Sequence, residues 1–324
     1  MAEFLYFFFF SVGLLMVIKG SDWFVTSSIW TAEVFRIPSI MIGATIVSIC
    51  TTIPETFVSA TAAFKGEPVM AIGNALGSSA VNAGFILGIL LIFTKPFIEN
   101  RREFLQNGFF MVFLILLVWM IGIIFGQISR IMGVGLIILF LAYIIKNIFS
   151  ARKLMDLDIS YEIEDEEHIM NHIDPDRTLP DGIVYDESEN DFDISFQTLA
   201  QKILFFILGV AMVLLGSDLL VVYGIRIANL LHVPTILIAV IFTSGGTSLP
   251  ELVTVITSIR KGVSNLGIGN LIGANILNIV QVIGFTALLH PLDLTNEKSI
   301  LTFQLPMLFI MSLSVFFFSL FNKG

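Results

Sequence analysis

The chain has 324 residues, of which 56% are hydrophobic and only 13% charged, with 31 Phe and a mean hydropathy of +0.92. These values exclude a soluble domain built round one core and indicate a polytopic helical membrane protein. A single cysteine, Cys50, excludes an intrachain disulfide and a thiolate metal cluster. The formal charge of −9 is local, because residues 156–193 hold fifteen Asp and Glu against one base, Arg177, and the remainder is mildly basic.

In chain order, apolar stretches long enough to cross a bilayer are predicted at about 4–29, 39–64, 69–93, 106–125 and 131–150. After the acidic segment come about 198–226, 235–259, 265–289 and 301–321. MAEFLYFFFF at the N-terminus lacks the positive region of a signal peptide, so it opens a first transmembrane helix. The short links carry Pro and Gly punctuation, as in FRIPS at 35–39, KGEP at 65–68 and LHVPT at 231–235. This reading gives a first transmembrane half at 1–151, an acidic loop at 152–196 and a second half at 197–324.

Basic residues set the expected orientation. With the N-terminus outside, twelve Lys and Arg fall on the cytoplasmic side and four on the other (Lys65, Arg130, Arg226 and Lys298), which makes the acidic loop cytoplasmic. A plasma membrane location is expected. The acidic loop has no EF-hand pattern and few residues able to form a core, so it reads as a weakly structured charged linker.

The most unusual stretch is IFTSGGTSLPE at 241–251, where a Glu, two hydroxyls, two glycines and a Pro interrupt an apolar span. Pro250 has no N–H and its ring clashes with the preceding turn, so this span is predicted to be broken. A carboxylate at that depth is costly and marks a candidate functional site.

Shifting the chain by 196 residues lays TIVSICTTIPE (45–55) on 241–251 and IGNALGSSAVNAGFILG (72–88) on IGNLIGANILNIVQVIG (268–284). Pro54 meets Pro250, Glu55 meets Glu251, Asn82 meets Asn278, and Gly20-Ser21-Asp22 meets Gly216-Ser217-Asp218. Five predicted spans precede the second copy, an odd number, so the two copies are expected to face opposite ways. The fold class expected is all-α, with two inverted-topology repeats whose broken helices meet at the midplane.

Thr51 and Thr52 lie four and three residues before Glu55, so on a helix all three share a face. Thr247, Ser248 and Glu251 repeat the arrangement. Two carboxylates with hydroxyls and amide oxygens form a hard, all-oxygen site suited to Ca²⁺ and Na⁺ and unsuited to zinc or copper. The candidate ligands are Glu55, Glu251, Asn82, Asn278, Thr51, Thr52, Thr247, Ser248 and Ser78, together with Ser48 and its repeat counterpart Ser244. The plainer alternative for Asn82 and Asn278, with less in its favour, is hydrogen bonding between helices. Asp22 and Asp218, near Lys19, read as packing or charge-pair residues.

The pairing of G-T-S-x-P-E with G-N-x-x-G-S-N-x-x-N, once per half, resembles the cation/calcium antiporter superfamily and within it the prokaryotic sodium/calcium exchangers. The first copy departs from the pattern in CTTIPE, with Cys50 and Thr52 in the glycine and serine positions. Asn278 stands where some members place an Asp. The resemblance implies a secondary active antiporter, not an enzyme, that exchanges three Na⁺ for one Ca²⁺ by alternating access. It also implies ten spans, and the counterpart of the fifth would begin near residue 324, so about nine are expected with the tenth missing. The open alternatives are an H⁺/Ca²⁺ antiporter, a K⁺-dependent cation antiporter and, with less in its favour, a cation channel. The partners expected are Ca²⁺, Na⁺ and the lipid bilayer, with no cofactor and no nucleic acid; no feature speaks to oligomeric state.

Overall fold

The computed structural model describes residues 2–66, 68–94, 101–172, 196–231, 245–295 and 297–321. Among the described residues the protein is all-α apart from one short pair of strands. Helix α1 is Ala2–Val34. The next span is broken into α2, Ser39–Thr51, and α3, Ile53–Phe64, which meet at a bend of 42°. Then come α4, from Pro68–Ala80 through Val81–Ile86 to Leu87–Phe93, α5, Arg101–Phe125, and α6, Arg130–His172. In the second half α7 is Phe196–Leu230 and α8 is Leu249–Arg260, preceded by the single turn Gly245–Thr247. Helix α9 runs from Ser264 to Leu289 and α10 from Ile300 to Phe321.

Among the described residues, six helices are long and apolar enough to cross a membrane, and the bent α2–α3 pair makes a seventh span. The predicted span at 235–259 is visible only as its second part, because residues 232–244 lie outside the described residues. One expectation is corrected. The linker reading of the acidic loop fails for residues 152–172, since α6 continues without a break to His172. Helical hydrogen bonding propagates at one bond per residue once a turn exists, and the stretch contains no Pro or Gly to stop it. Residues 173–195 of that loop are outside the described residues.

The breaks form where proline dictates. Pro54 and Pro250 sit in the first turns of α3 and α8, and the residues just before those helices, Thr52 and Ser248, leave helical geometry with φ/ψ of −84°/1° and −86°/7°. The two halves therefore break at equivalent positions and by the same dihedral change. The turns that follow α3 and α8 match as well, with Gly66 at φ 76° and Gly262 at φ 74°, a left-handed conformation that glycine adopts without strain.

Close helix approach is carried by glycine. A Cβ at Gly13 would meet the Gly216 carbonyl at 2.9 Å, and one at Gly20 would meet the Gly209 carbonyl at 2.8 Å, so α1 and α7 run antiparallel with backbones in contact. Aromatic residues close both ends of this pair: Lys202 stands over Trp30 at 5.9 Å, and Arg226 over Tyr6 at 5.4 Å. In the centre, α9 is the most enclosed helix, with 83% of its apolar window buried. Gly269 lies against Ile40 and Ala44, and Gly273 against Ala44 and Ser48, which seats α2 along α9. Overpacking of this kind costs about 1–3 kcal/mol or more when backbone must move. Gly269→Ala is therefore expected to lower the thermal midpoint in detergent by several degrees, whereas Gly73→Ala, where a Cβ meets nothing within 4 Å, leaves it unchanged; fluorescence-detected melting checks both.

The loops after α5 and α9 pair as two short strands, β1, Gln127–Ile128, and β2, Leu292–Asp293, in antiparallel register. Both loops belong to the side predicted to be external. Asp293 accepts hydrogen bonds from the Thr295 hydroxyl and from its backbone N–H at 2.9 Å, which holds its carboxyl below the usual value.

Candidate ion site

Four elements converge where the helices break. Helix α3 packs against the Asn278–Ile283 stretch of α9, and α8 against the Val81–Ile86 stretch of α4, so each half meets the other. Those two stretches are π-helical, and each carries one candidate amide, Asn82 or Asn278. A π-turn redirects its side chains and recurs at functional sites.

Glu55 and Glu251 are both wholly buried, and their charges act on one another. The arrangement crosses between halves: the Thr247 hydroxyl faces Glu55, beside Ser78 of Glu55's own half, and the Thr51 hydroxyl faces Glu251. None of these contacts meets ordinary hydrogen-bond geometry, so all four carboxylate oxygens lack a partner. The same is true of both amide atoms of Asn82 and of Asn278, and of the hydroxyls of Thr52 and Ser248. Buried polar groups are paired in the great majority of cases, and an unpaired buried carboxylate is the costliest exception. A concentration of such groups around two facing carboxylates is what a desolvated cation would satisfy. Among the described residues no cluster of three or more His, Cys, Asp or Glu exists, so such a cation would rely on two carboxylates with amides and hydroxyls.

Thr247 and Ser78 are thus brought to Glu55 and Thr51 to Glu251, while Thr52, Ser248, Asn82 and Asn278 are buried without partners on the elements that meet there. Ser48 stands apart. Its hydroxyl donates to the Thr45 carbonyl at 3.0 Å and abuts Gly273, so it fills the α2–α9 contact. Ser244 is outside the described residues. Asp22 pairs with Lys261 at 2.7 Å, and not with Lys19.

Two residues join the site that the candidate set lacks, Asn74 and Asn270. Thr51 donates to Asn270 Oδ1 at 3.0 Å, and Thr247 donates to Asn74 Oδ1 at 3.4 Å. The 196-residue register relates Thr51 to Thr247 and Asn74 to Asn270, so the two bonds are equivalent. That register was the available signal; the two asparagines lie two turns before Asn82 and Asn278. Asn74 also donates to the Glu55 carbonyl at 3.3 Å and to Ser59 at 3.0 Å, tying α4 to α3. Gln281 is a further addition, donating to Thr56 Oγ1 at 3.1 Å while its own Oε1 lacks a partner.

If these amides orient the threonines, Asn270→Ala is expected to weaken apparent Ca²⁺ affinity about tenfold. The magnitude follows from one lost buried hydrogen bond, about 1–2 kcal/mol. Calcium titration of Na⁺-driven flux measures this, and Asn270→Asp, which keeps the acceptor oxygen, is expected to lose less.

The chain matches the family model described as sodium/calcium exchanger protein over residues 5–149 and 201–323. It is 30% identical to an uncharacterized membrane protein of Methanocaldococcus jannaschii over 97% of this chain and 90% of that protein. It is 28% identical to the sodium/calcium exchanger MaX1 of Methanosarcina acetivorans over 95% and 89%. Among solved structures, the sodium-calcium exchanger NCX_Mj soaked with Na⁺ and Sr²⁺ superposes with a TM-score of 0.76 at 27% identity, covering 98% of this chain and 92% of that one. With broken helices, facing buried carboxylates and matches spanning both halves, the chain belongs to the sodium/calcium exchanger family of membrane transporters, and not to a family of enzymes.

Proposed function

We propose that this protein exchanges Na⁺ for Ca²⁺ by alternating access, with ions held by Glu55, Glu251, Asn82, Asn278, Thr51, Thr52, Thr247, Ser248 and Ser78. The observation that carries the reading is the set of eight carboxylate and amide atoms, four from each half, that are buried without hydrogen-bond partners on elements that pack across the two halves. Two ionised glutamates match the charge of one Ca²⁺, and the same oxygens can serve Na⁺ ions one at a time, so the two substrates compete for one site. Ser48 is left out of this set, because its hydroxyl bonds within α2 and stands against Gly273 in the α2–α9 contact.

Two repeats of opposite orientation supply a pair of related states that open to opposite sides, which suits alternating access. The antiparallel contact of α1 with α7 supports it: these are equivalent helices, Gly13 corresponding to Gly209 and Gly20 to Gly216, and each touches the other's counterpart. The orientation proposed has the N-terminus outside and the acidic loop in the cytoplasm, which agrees with the β1–β2 pairing of two loops assigned to one side.

The test is ⁴⁵Ca²⁺ uptake into Na⁺-loaded proteoliposomes. Uptake that collapses when the Na⁺ gradient is removed is the result expected. Uptake driven instead by a pH gradient would move the protein to H⁺/Ca²⁺ exchange, an absolute need for K⁺ would make it K⁺-dependent, and single-channel currents would replace exchange by conduction.

A further inference from the structure

The two halves carry the same four polar residues on a long helix and at the end of a helix that follows a break. In one case they are Ser21 and Asp22 on α1 with Thr257 at the end of α8 and Lys261 just beyond it. The 196-residue register maps these onto Ser217 and Asp218 on α7, with Thr61 at the end of α3 and Lys65 just beyond it. All four types are conserved between the halves, yet only one set is closed. The Ser21 and Thr257 hydroxyls bond at 2.8 Å, both buried, and Asp22 pairs with Lys261 at 2.7 Å. In the other set Ser217 Oγ is buried without a partner, and Asp218 and Lys65 are exposed and form no ion pair among the described residues. Thr61 and Lys65 instead line an open cleft of about 280 Å³ with Phe57, Val58, Ala62 and Met70.

A repeat protein with symmetric parts and one asymmetric contact has been caught on one side of a two-state equilibrium. The closed set lies on the predicted cytoplasmic side and the open one on the external side. We propose that these quartets are two alternating latches: Ser21–Thr257 with Asp22–Lys261 holds the outward-open state, and Ser217–Thr61 with Asp218–Lys65 holds the inward-open state. The proposal rests on the alternating-access reading and adds the contacts that set the balance between its two states. Each ion pair is partly exposed, the Asp22 side chain by 47% and the Lys261 side chain by 27%. Such a pair biases the equilibrium about two- to fivefold and does not lock it, which suits a part that must open in every cycle.

The experiment uses the full chain in sealed proteoliposomes with Cys50→Ala and a reporter Val58→Cys in the external cleft, labelled by a membrane-impermeant maleimide. Asp22→Asn and Lys261→Gln are expected to slow labelling about two- to fivefold by releasing the outward-open state. Asp218→Asn and Lys65→Gln are expected to shift it the other way, and the swap Asp22→Lys with Lys261→Asp should restore the parent rate. A second measurement needs no reporter: the rate at which a short bifunctional thiol reagent joins Lys65→Cys to Asp218→Cys, in the Cys50→Ala background, should rise about two- to fivefold when Asp22→Asn is added. Equal rates in all four single variants, shifts of one sign, or a crosslinking rate that Asp22→Asn leaves unchanged overturns the proposal. None of these readouts requires calcium flux, so wild-type protein that transports no calcium in the same vesicles counts against the exchange reading alone.

Discussion

Glu55→Gln and Glu251→Gln are each expected to reduce Na⁺-driven Ca²⁺ flux at least about 1000-fold while leaving the protein folded. At an effective dielectric constant near 20, two unit charges about 4 Å apart interact by roughly 4 kcal/mol, and a divalent ion loses twice what a monovalent ion loses when one carboxylate becomes an amide. The discrimination is as informative as the size. Calcium binding should fall further than sodium binding, and isothermal titration with each ion separates the two. Stability should move in the opposite direction in ion-free buffer, because both carboxylates are wholly buried with no hydrogen-bond partner. A neutral amide is cheaper in that setting than an uncompensated charge. The variants are therefore expected to melt no lower than wild type in chelator, and to lose the rise in melting temperature that calcium gives wild type by mass action. Wild-type calcium flux in either variant would remove the two-carboxylate site.

Pinning α1 to α8 is expected to stop exchange almost completely. The Ser21 and Thr257 hydroxyls already meet at 2.8 Å in a buried contact, so Ser21→Cys with Thr257→Cys, in a Cys50→Ala background, places two thiols face to face. Oxidation to the disulfide should abolish ⁴⁵Ca²⁺ uptake, and reduction should restore it. Calcium binding in detergent should persist in the oxidised form, because neither residue belongs to the ion site. Exchange that continues through the crosslink would mean that α1 does not move against α8 during transport.

Much of the site was legible in the sequence because its causes are local. Pro54 and Pro250 remove a backbone donor wherever they stand, so the breaks at Thr52 and Ser248 follow from residue identity alone. Glu55 and Glu251 are too costly in an apolar span to be incidental. The 196-residue register tied the two copies together without any knowledge of how they pack. The same register contained Asn74 and Asn270, but an asparagine inside a motif does not announce which hydroxyl it accepts from; that depends on α2 and α9 lying side by side.

Tertiary structure alone decided the rest. Ser48 shares its sequence context with the threonines near the carboxylates, yet the close approach of Gly273 places it in the α2–α9 contact. The π-helical turns at Val81–Ile86 and Asn278–Ile283 set the direction of Asn82 and Asn278, and they arise from a shift in backbone hydrogen-bond register that side-chain types do not encode. The continuation of α6 into the acidic loop is a further case, since composition measures the ability to bury a core and says little about a helix extended from an existing one. The sequence, by contrast, determined that the two halves are equivalent, since residue types at a fixed spacing are its own property. Which half's quartet is closed could never be read from it: Ser21, Asp22, Thr257 and Lys261 match Ser217, Asp218, Thr61 and Lys65 in type, and only packing distinguishes the bonded set from the open one.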